Sequence, residues 1–151
     1  MQKLIKLIDQ LETQIPHAQV LNTAVSEGNV GWHIEHSCLV MIKIAETFQQ
    51  SNPNQYHTKF NFKKLLVFLL GKFPRGKAKA PASVMPTENI SIDHLKESIA
   101  KARLAIQKIM AGDKNKFFLH PFFGNLNRPQ TLNFFGIHTK HHLLIIADIL
   151  K

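Results

Sequence analysis

The stretch Phe135-Gly136-Ile137-His138-Thr139-Lys140-His141-His142 places three of the chain's nine histidines inside a segment of helical periodicity. At roughly 100° per residue, His138 and His142 fall on the apolar side of this helix, and Lys140 falls on the opposite, polar side. His141 lies about 60° from His138, nearer the edge of the apolar side. Two inward imidazoles on one helix face predict that the helix packs against others and that a shared ligand satisfies both rings.

Helical patterning continues through most of the remaining chain. Periodic apolar residues, capping residues and Pro or Gly stops predict helices over 2–15, 29–50, 63–70, 91–112 and 129–150. A strand over 63–70 is an alternative, but β-branched residues are sparse there. No segment predicts a strand clearly, and the Phe-rich stretch 117–124 is expected to be a loop. We therefore expect an all-α fold, a four-helix bundle with one extra short helix and long irregular loops, in a single domain spanning 1–151.

The composition is typical of a globular domain. Hydrophobic residues make up 44% of the 151 residues, and the apolar runs are too short to span a bilayer. The N-terminal stretch lacks the apolar h-region of a signal peptide, so we expect a cytoplasmic protein with no membrane partner. Cys38 is the only cysteine, which excludes an internal disulfide and predicts a small buried side chain rather than a nucleophile.

The formal charge of +9 is unevenly distributed, with no acidic residue between Glu46 and Glu88. This asymmetry indicates either a solvated basic surface or an anionic partner, such as a carboxylated or phosphorylated small molecule. No nucleic-acid-binding motif is present, so we do not expect nucleic acid as the partner. The oligomeric state is open, with a homodimer as one expectation.

The histidines are candidates for a divalent-metal site. His138 and His142 supply two neutral imidazoles, and a third can come from His33 or His36 near the start of the second helix. The helical phase favours His33 slightly, and the spacing does not decide between them. Three imidazoles leave coordination positions open, which suits the activation of water or a thiol by zinc or nickel.

Two further histidines are weaker candidates for this site, and one neighbouring carboxylate is not assigned to it. His141 lies nearer the edge of its helix. His120 precedes a proline and is expected to anchor its loop rather than to lie over the site. Glu35 is next to His36 but points in another direction, so we do not assign it as a general base.

Four segments together resemble the DinB/YfiT-like metal-binding four-helix bundle superfamily, in a branch classified as a domain of unknown function. Their order and spacing cover most of the chain, and the His-Pro-Phe-Phe-Gly segment followed by His-x-x-His-His is the most specific part. The segments are Val30-Gly31-Trp32-His33-Ile34-Glu35-His36, Pro74-Arg75-Gly76-Lys77-Ala78-Lys79-Ala80-Pro81, His120-Pro121-Phe122-Phe123-Gly124-Asn125-Leu126 and His138-Thr139-Lys140-His141-His142-Leu143.

The resemblance implies a metal triad of His36, His138 and His142. It implies more loosely a metal-dependent thiol S-transferase or hydrolase that acts on a small molecule with a low-molecular-weight thiol, because a fold does not determine the chemistry. If the protein is such an enzyme, we expect Arg75 and Lys77 of the basic loop to bind a carboxylate on the thiol cofactor. The alternative is a non-catalytic helical bundle that binds a metal or a small ligand.

Overall fold

The computed structural model describes residues 2–74, 80–87 and 90–151. In these residues the chain is mostly helical, as expected, and contains a small antiparallel hairpin. The helices are α1 (Gln2–Thr13), α2 (Val30–Gln50), α3 (Phe62–Leu70), α4 (Ile92–Ala111) and α5 (Arg128–Ile149), and the strands are β1 (Phe117–His120) and β2 (Gly124–Asn127).

Local sequence signals set the ends of these helices. The Asn29 side chain accepts a hydrogen bond from the Trp32 backbone N–H at 2.8 Å and begins α2. At the start of α5, Asn127 and Gln130 form a reciprocal capping box. Gly71 ends α3 in the left-handed conformation at φ 60°, which glycine adopts without steric cost. The helix boundaries therefore lie close to the predicted ones.

The four long helices bury one shared core. Both α1 and α2 pack against α4 and α5, and α4 also contacts α5, so each long helix contacts at least two others across the interior. The apolar stripe of each helix supplies the contacts, which removes these side chains from water. The largest fully buried side chains are Phe48, Phe135, Ile8, Leu11, Ile34, Met41, Leu95, Ile99, Ile106, Ile109, Leu126 and Ile146.

The hairpin corrects the expectation that 117–124 is a loop and that the chain has no strand. Phe117 pairs with Asn127 and His120 with Gly124, so Pro121, Phe122 and Phe123 form the turn. Two strands of four residues are marginal alone, and this hairpin packs against α2 and α5. The sequence does not show it because β1 has no alternation of polar and apolar residues.

Helix α3 is the most exposed helix among the described residues. It has no buried residue, and Phe62 and Leu69 are largely exposed. Its stretch 63–70 is helical, as the sequence predicts. No described helix combines the length and the apolarity needed to cross a membrane.

Candidate metal centre

Three histidines from α2 and α5 converge in the interior. His36, His138 and His142 each offer one ring nitrogen, and these nitrogens all lie within 4.8 Å of one another. The ring centroids of His138 and His142 are 4.5 Å apart, and that of His36 is 4.8 Å from His142 and 5.1 Å from His138. Nitrogens at this separation can bind one divalent cation, since imidazole–zinc bonds are about 2.0–2.1 Å long.

The His36 ring is held by a backbone carbonyl. Its Nδ1 lies 2.8 Å from the carbonyl oxygen of Val84, in the short 3₁₀ turn Ala82–Val84. A carbonyl can only accept, so Nδ1 carries the proton and the Nε2 lone pair is left for a ligand. Burial lowers the pKa of His36, which keeps the ring neutral at pH 7.

The His142 ring is held by a different kind of partner. Its Nδ1 lies 2.9 Å from the Nδ1 of His33, and both rings are buried. The other nitrogen of His33, Nε2, lies 3.0 Å from the hydroxyl oxygen of Ser26. Because Nδ1 of His142 is engaged with His33, Nε2 is the nitrogen that His142 has left for a ligand.

The electrostatics of the cluster favour neutral rings. Burial is the largest cause that lowers the pKa of His138 and of His142 well below 6.5, and the neighbouring histidines lower both further. A proton on one ring would repel a proton on the next in a poorly solvated place. Neutral imidazoles are the form that binds a metal, so these three rings are in the protonation state that a metal ligand requires at pH 7.

The structure groups His36 with the pair on α5, and it does not group His33 there. The helical phase of the sequence slightly favoured His33 instead. The phase gives the direction of each side chain around α2, but it does not give the rotation of α2 relative to α5. His141 lies outside the triad, with its ring centroid 5.2 Å from that of His142. Arg75 and Lys77 lie outside the described residues.

His120 anchors its turn, as expected from the proline that follows it. Its Nδ1 accepts hydrogen bonds from the backbone N–H groups of Phe122 at 3.1 Å and Phe123 at 3.3 Å. The ring stacks on Phe123 at a centroid distance of 4.3 Å. Burial lowers the pKa of His120 to about 4, so the ring is a neutral acceptor at pH 7.

We expect His120→Ala to destabilise the protein by about 1–3 kcal/mol, because the two turn N–H groups lose their acceptor. His120→Asn, which keeps an acceptor near the position of Nδ1, should lose less. Urea unfolding of the three proteins measures the difference. Zinc affinity should stay unchanged in both variants, and a large loss of affinity without a loss of stability would instead assign His120 to the metal centre.

Two aromatic residues that the sequence did not single out as site residues lie next to histidines of the triad. The Trp32 ring stacks on His36 at 4.9 Å and 13° between the planes. Phe73 lies beyond His138 at a centroid distance of 6.3 Å. Gly28 allows the loop before α2 to approach Trp32, since a Cβ at this position would lie 2.9 Å from the indole. Trp32 immediately precedes His33 in the sequence, and this proximity could have predicted that Trp32 lies near the site.

A small cavity lies on the outer side of Phe73. Its volume is about 160 Å³, and its lining residues are Gly71, Lys72, Phe73, Lys140, His141 and Leu144. Two of its lining residues, Lys72 and Lys140, are positively charged. Phe73 is the wall that the cavity shares with the His138 side of the triad.

Two other ionisable groups on α2, Glu35 and Cys38, are not among the three converging histidines. Glu35 Oε1 lies 3.1 Å from Nε2 of His94 on α4, and Glu35 Oε2 is buried with no hydrogen-bond partner among the described residues. Cys38 is fully buried, and burial raises the pKa of its thiol far above the ordinary range. The thiol is protonated at pH 7 and is a core side chain.

Comparisons of the chain with protein-family models, with curated proteins and with solved structures found no match.

Proposed function

We propose that the protein is a divalent-metal-dependent enzyme of the DinB/YfiT-like type that acts on a small anionic molecule by thiol S-transfer or hydrolysis. The observation that carries the proposal is the convergence of ring nitrogens from His36, His138 and His142 within 4.8 Å. The pairing of α1 and α2 with α4 and α5 is compatible with the bundle of that superfamily.

The residues present fit a metal ion. The Nδ1 atoms of His36 and His142 are engaged with Val84 and His33, so Nε2 is the ring nitrogen that each would offer to the cation. An imidazole donor set suits zinc and nickel. When bound at three imidazoles, such an ion lowers the pKa of a water or thiol at its open position.

The surrounding residues would bind and orient the ligand. Lys72 and Lys140 supply positive charge for a carboxylate or phosphate in the cavity beside Phe73. The cavity is small, so it accommodates an anionic group rather than a whole ligand. Trp32 and Phe73 exclude water from the imidazoles, which strengthens electrostatic interactions inside the site. In this proposal Lys72 and Lys140 bind the anionic group, a role predicted from the sequence for Arg75 and Lys77.

The first test is metal analysis of protein prepared without a histidine tag. After reconstitution with zinc or nickel and gel filtration, about one equivalent per chain should remain bound and be removed by a chelator. Elemental analysis by mass spectrometry measures the content. Retention below about a tenth of an equivalent would overturn the metal site.

The second step of the test separates an enzyme from a binding module. The zinc-loaded protein is assayed with a low-molecular-weight thiol plus an electrophile, and separately with carboxylated esters and amides. Turnover that requires both the metal and His138 supports the enzyme. Metal binding with no turnover in any of these assays favours the non-catalytic bundle.

A further inference from the structure

The proton in the contact between His33 and His142 can lie on either ring, whereas the proton in the contact between His36 and Val84 has only one possible position. A carbonyl only accepts, so His36 has one possible arrangement of its proton. Two imidazole nitrogens 2.9 Å apart share one proton, and either ring can donate it. The tautomer of His142 therefore depends on the tautomer of His33.

Two arrangements of protons satisfy both hydrogen bonds that connect Ser26, His33 and His142. In the first, His142 Nδ1–H donates to His33 Nδ1, and His33 Nε2–H donates to the Ser26 hydroxyl oxygen. In the second, Ser26 donates to His33 Nε2, and His33 Nδ1–H donates to His142 Nδ1. Both arrangements contain the same number of protons, so a change from one to the other requires no net proton uptake.

Only the first arrangement leaves His142 able to bind a cation. In the second, the His142 proton lies on Nε2, the nitrogen that is not engaged with His33, and this nitrogen has no free lone pair. In the first, the Nε2 lone pair is free. Ser26 is able to take part in either arrangement: its hydroxyl oxygen accepts the backbone N–H of Gly28 at 3.1 Å, and one lone pair and the hydroxyl proton remain for His33.

Backbone hydrogen bonds in the loop before α2 fix the position of Ser26. The backbone N–H of Ser26 donates to the Asn22 carbonyl at 3.0 Å, and that of Val25 donates to the same carbonyl at 2.9 Å. At the other end, His33 Nδ1 lies in the interior with its ring 3% exposed. The chain from Ser26 to His142 therefore connects an ordered turn to the metal centre.

We propose that His33 is a positioning residue. Binding of a divalent cation selects the arrangement in which His142 Nδ1–H donates to His33 and His33 Nε2–H donates to Ser26, and these hydrogen bonds then orient the His142 ring with its Nε2 lone pair free for the cation. The inference rests on the proposed metal site and adds a role for a histidine that is not a ligand. Partners of this kind orient a ligating imidazole and raise its basicity, and their loss costs about 10- to 100-fold in metal affinity.

The first part of the test is the zinc affinity of two variants, measured by competition with a chelator. His33→Leu removes the acceptor and should weaken zinc binding about 10- to 100-fold. His33→Asn, whose amide oxygen can stand near the position of Nδ1, should recover most of the affinity. His57→Leu, at an exposed histidine, is the control and should bind as the wild type.

The second part reads the tautomers directly, by long-range ¹H–¹⁵N correlation of the histidine rings. In the zinc-loaded protein, we expect the proton of His142 on Nδ1 and that of His33 on Nε2. Ser26→Ala keeps both rings, so it should fold even where His33→Leu fails. It should weaken zinc binding by about 2- to 10-fold, which corresponds to one hydrogen bond.

The outcomes separate the two proposals. Wild-type affinity in a folded His33→Leu protein, or a loaded protein with the His33 proton on Nδ1, overturns the positioning role and leaves the metal site intact. A wild-type chain that binds no zinc overturns the metal site, and the positioning role with it. Loss of affinity in His33→Leu that His33→Asn restores supports both proposals.

Discussion

His138→Ala is expected to abolish zinc binding at micromolar protein concentrations. The triad has three protein donors, and removing one leaves two imidazoles of this group. The loss should exceed the roughly 100-fold that the strongest outer-sphere substitutions cause, because a direct bond to the cation is removed. Equilibrium dialysis or competition with a chromophoric chelator measures it. His138→Phe, which keeps an aromatic ring in the space, should have the same effect if the donor nitrogen is what matters.

His141→Ala is the matched control on the same helix. It removes an imidazole three residues after His138, and the structure places His141 in the wall of the outer cavity. Its zinc affinity should therefore remain close to that of the wild type. If His141→Ala abolished zinc binding and His138→Ala did not, His141 rather than His138 would be the ligand on α5, and the proposed triad would be wrong. Circular dichroism of each variant checks that the helices are retained.

Acid is expected to unfold the metal-free protein between pH 6.5 and pH 4. Burial lowers the pKa of His33 from 6.5 to about 4 and that of His120 from 6.5 to about 4. In this pH range the unfolded chain therefore binds more protons than the folded chain, and the free energy of unfolding falls as the pH falls. Above pH 6.5 both states are neutral at these rings, and their contribution to stability is fully present.

The size of the acid effect follows from the number of protons. One proton difference changes the free energy of unfolding by about 1.4 kcal/mol per pH unit, so two histidines give about 2.7 kcal/mol per unit. Over this range the loss approaches the 5–15 kcal/mol stability of a typical domain. Burial lowers the pKa of His36, His138 and His142 as well, so the slope should be steeper still.

Urea unfolding at pH 7.5, 6.0 and 5.0 measures this slope. His120→Asn is the internal control, because an amide does not titrate and the slope should fall by about one proton, or 1.4 kcal/mol per pH unit. A free energy of unfolding that stays constant from pH 7.5 to pH 5.0 would contradict the buried, neutral state of these rings.

Local patterning was enough to predict most of the secondary structure. Helix periodicity and the caps at Asn29, Ser91 and Gly71 depend on a few neighbouring residues, so the helices lie close to where the sequence places them. The hairpin was missed for the opposite reason. Phe117 and Leu126 are strand residues because they pack against α2 and α5, which no local pattern shows.

The sequence by itself determined that His138 and His142 share an inward helix face, because positions four apart on one helix lie one turn apart. Only the tertiary structure decided the roles of His33 and His36. They lie three apart on α2, and either could have met the pair until core packing set the rotation of α2 against α5. That rotation places His36 with the pair and His33 behind His142. The carbonyl of Val84, 48 residues from His36 along the chain, likewise becomes its partner only when the loop packs on α2.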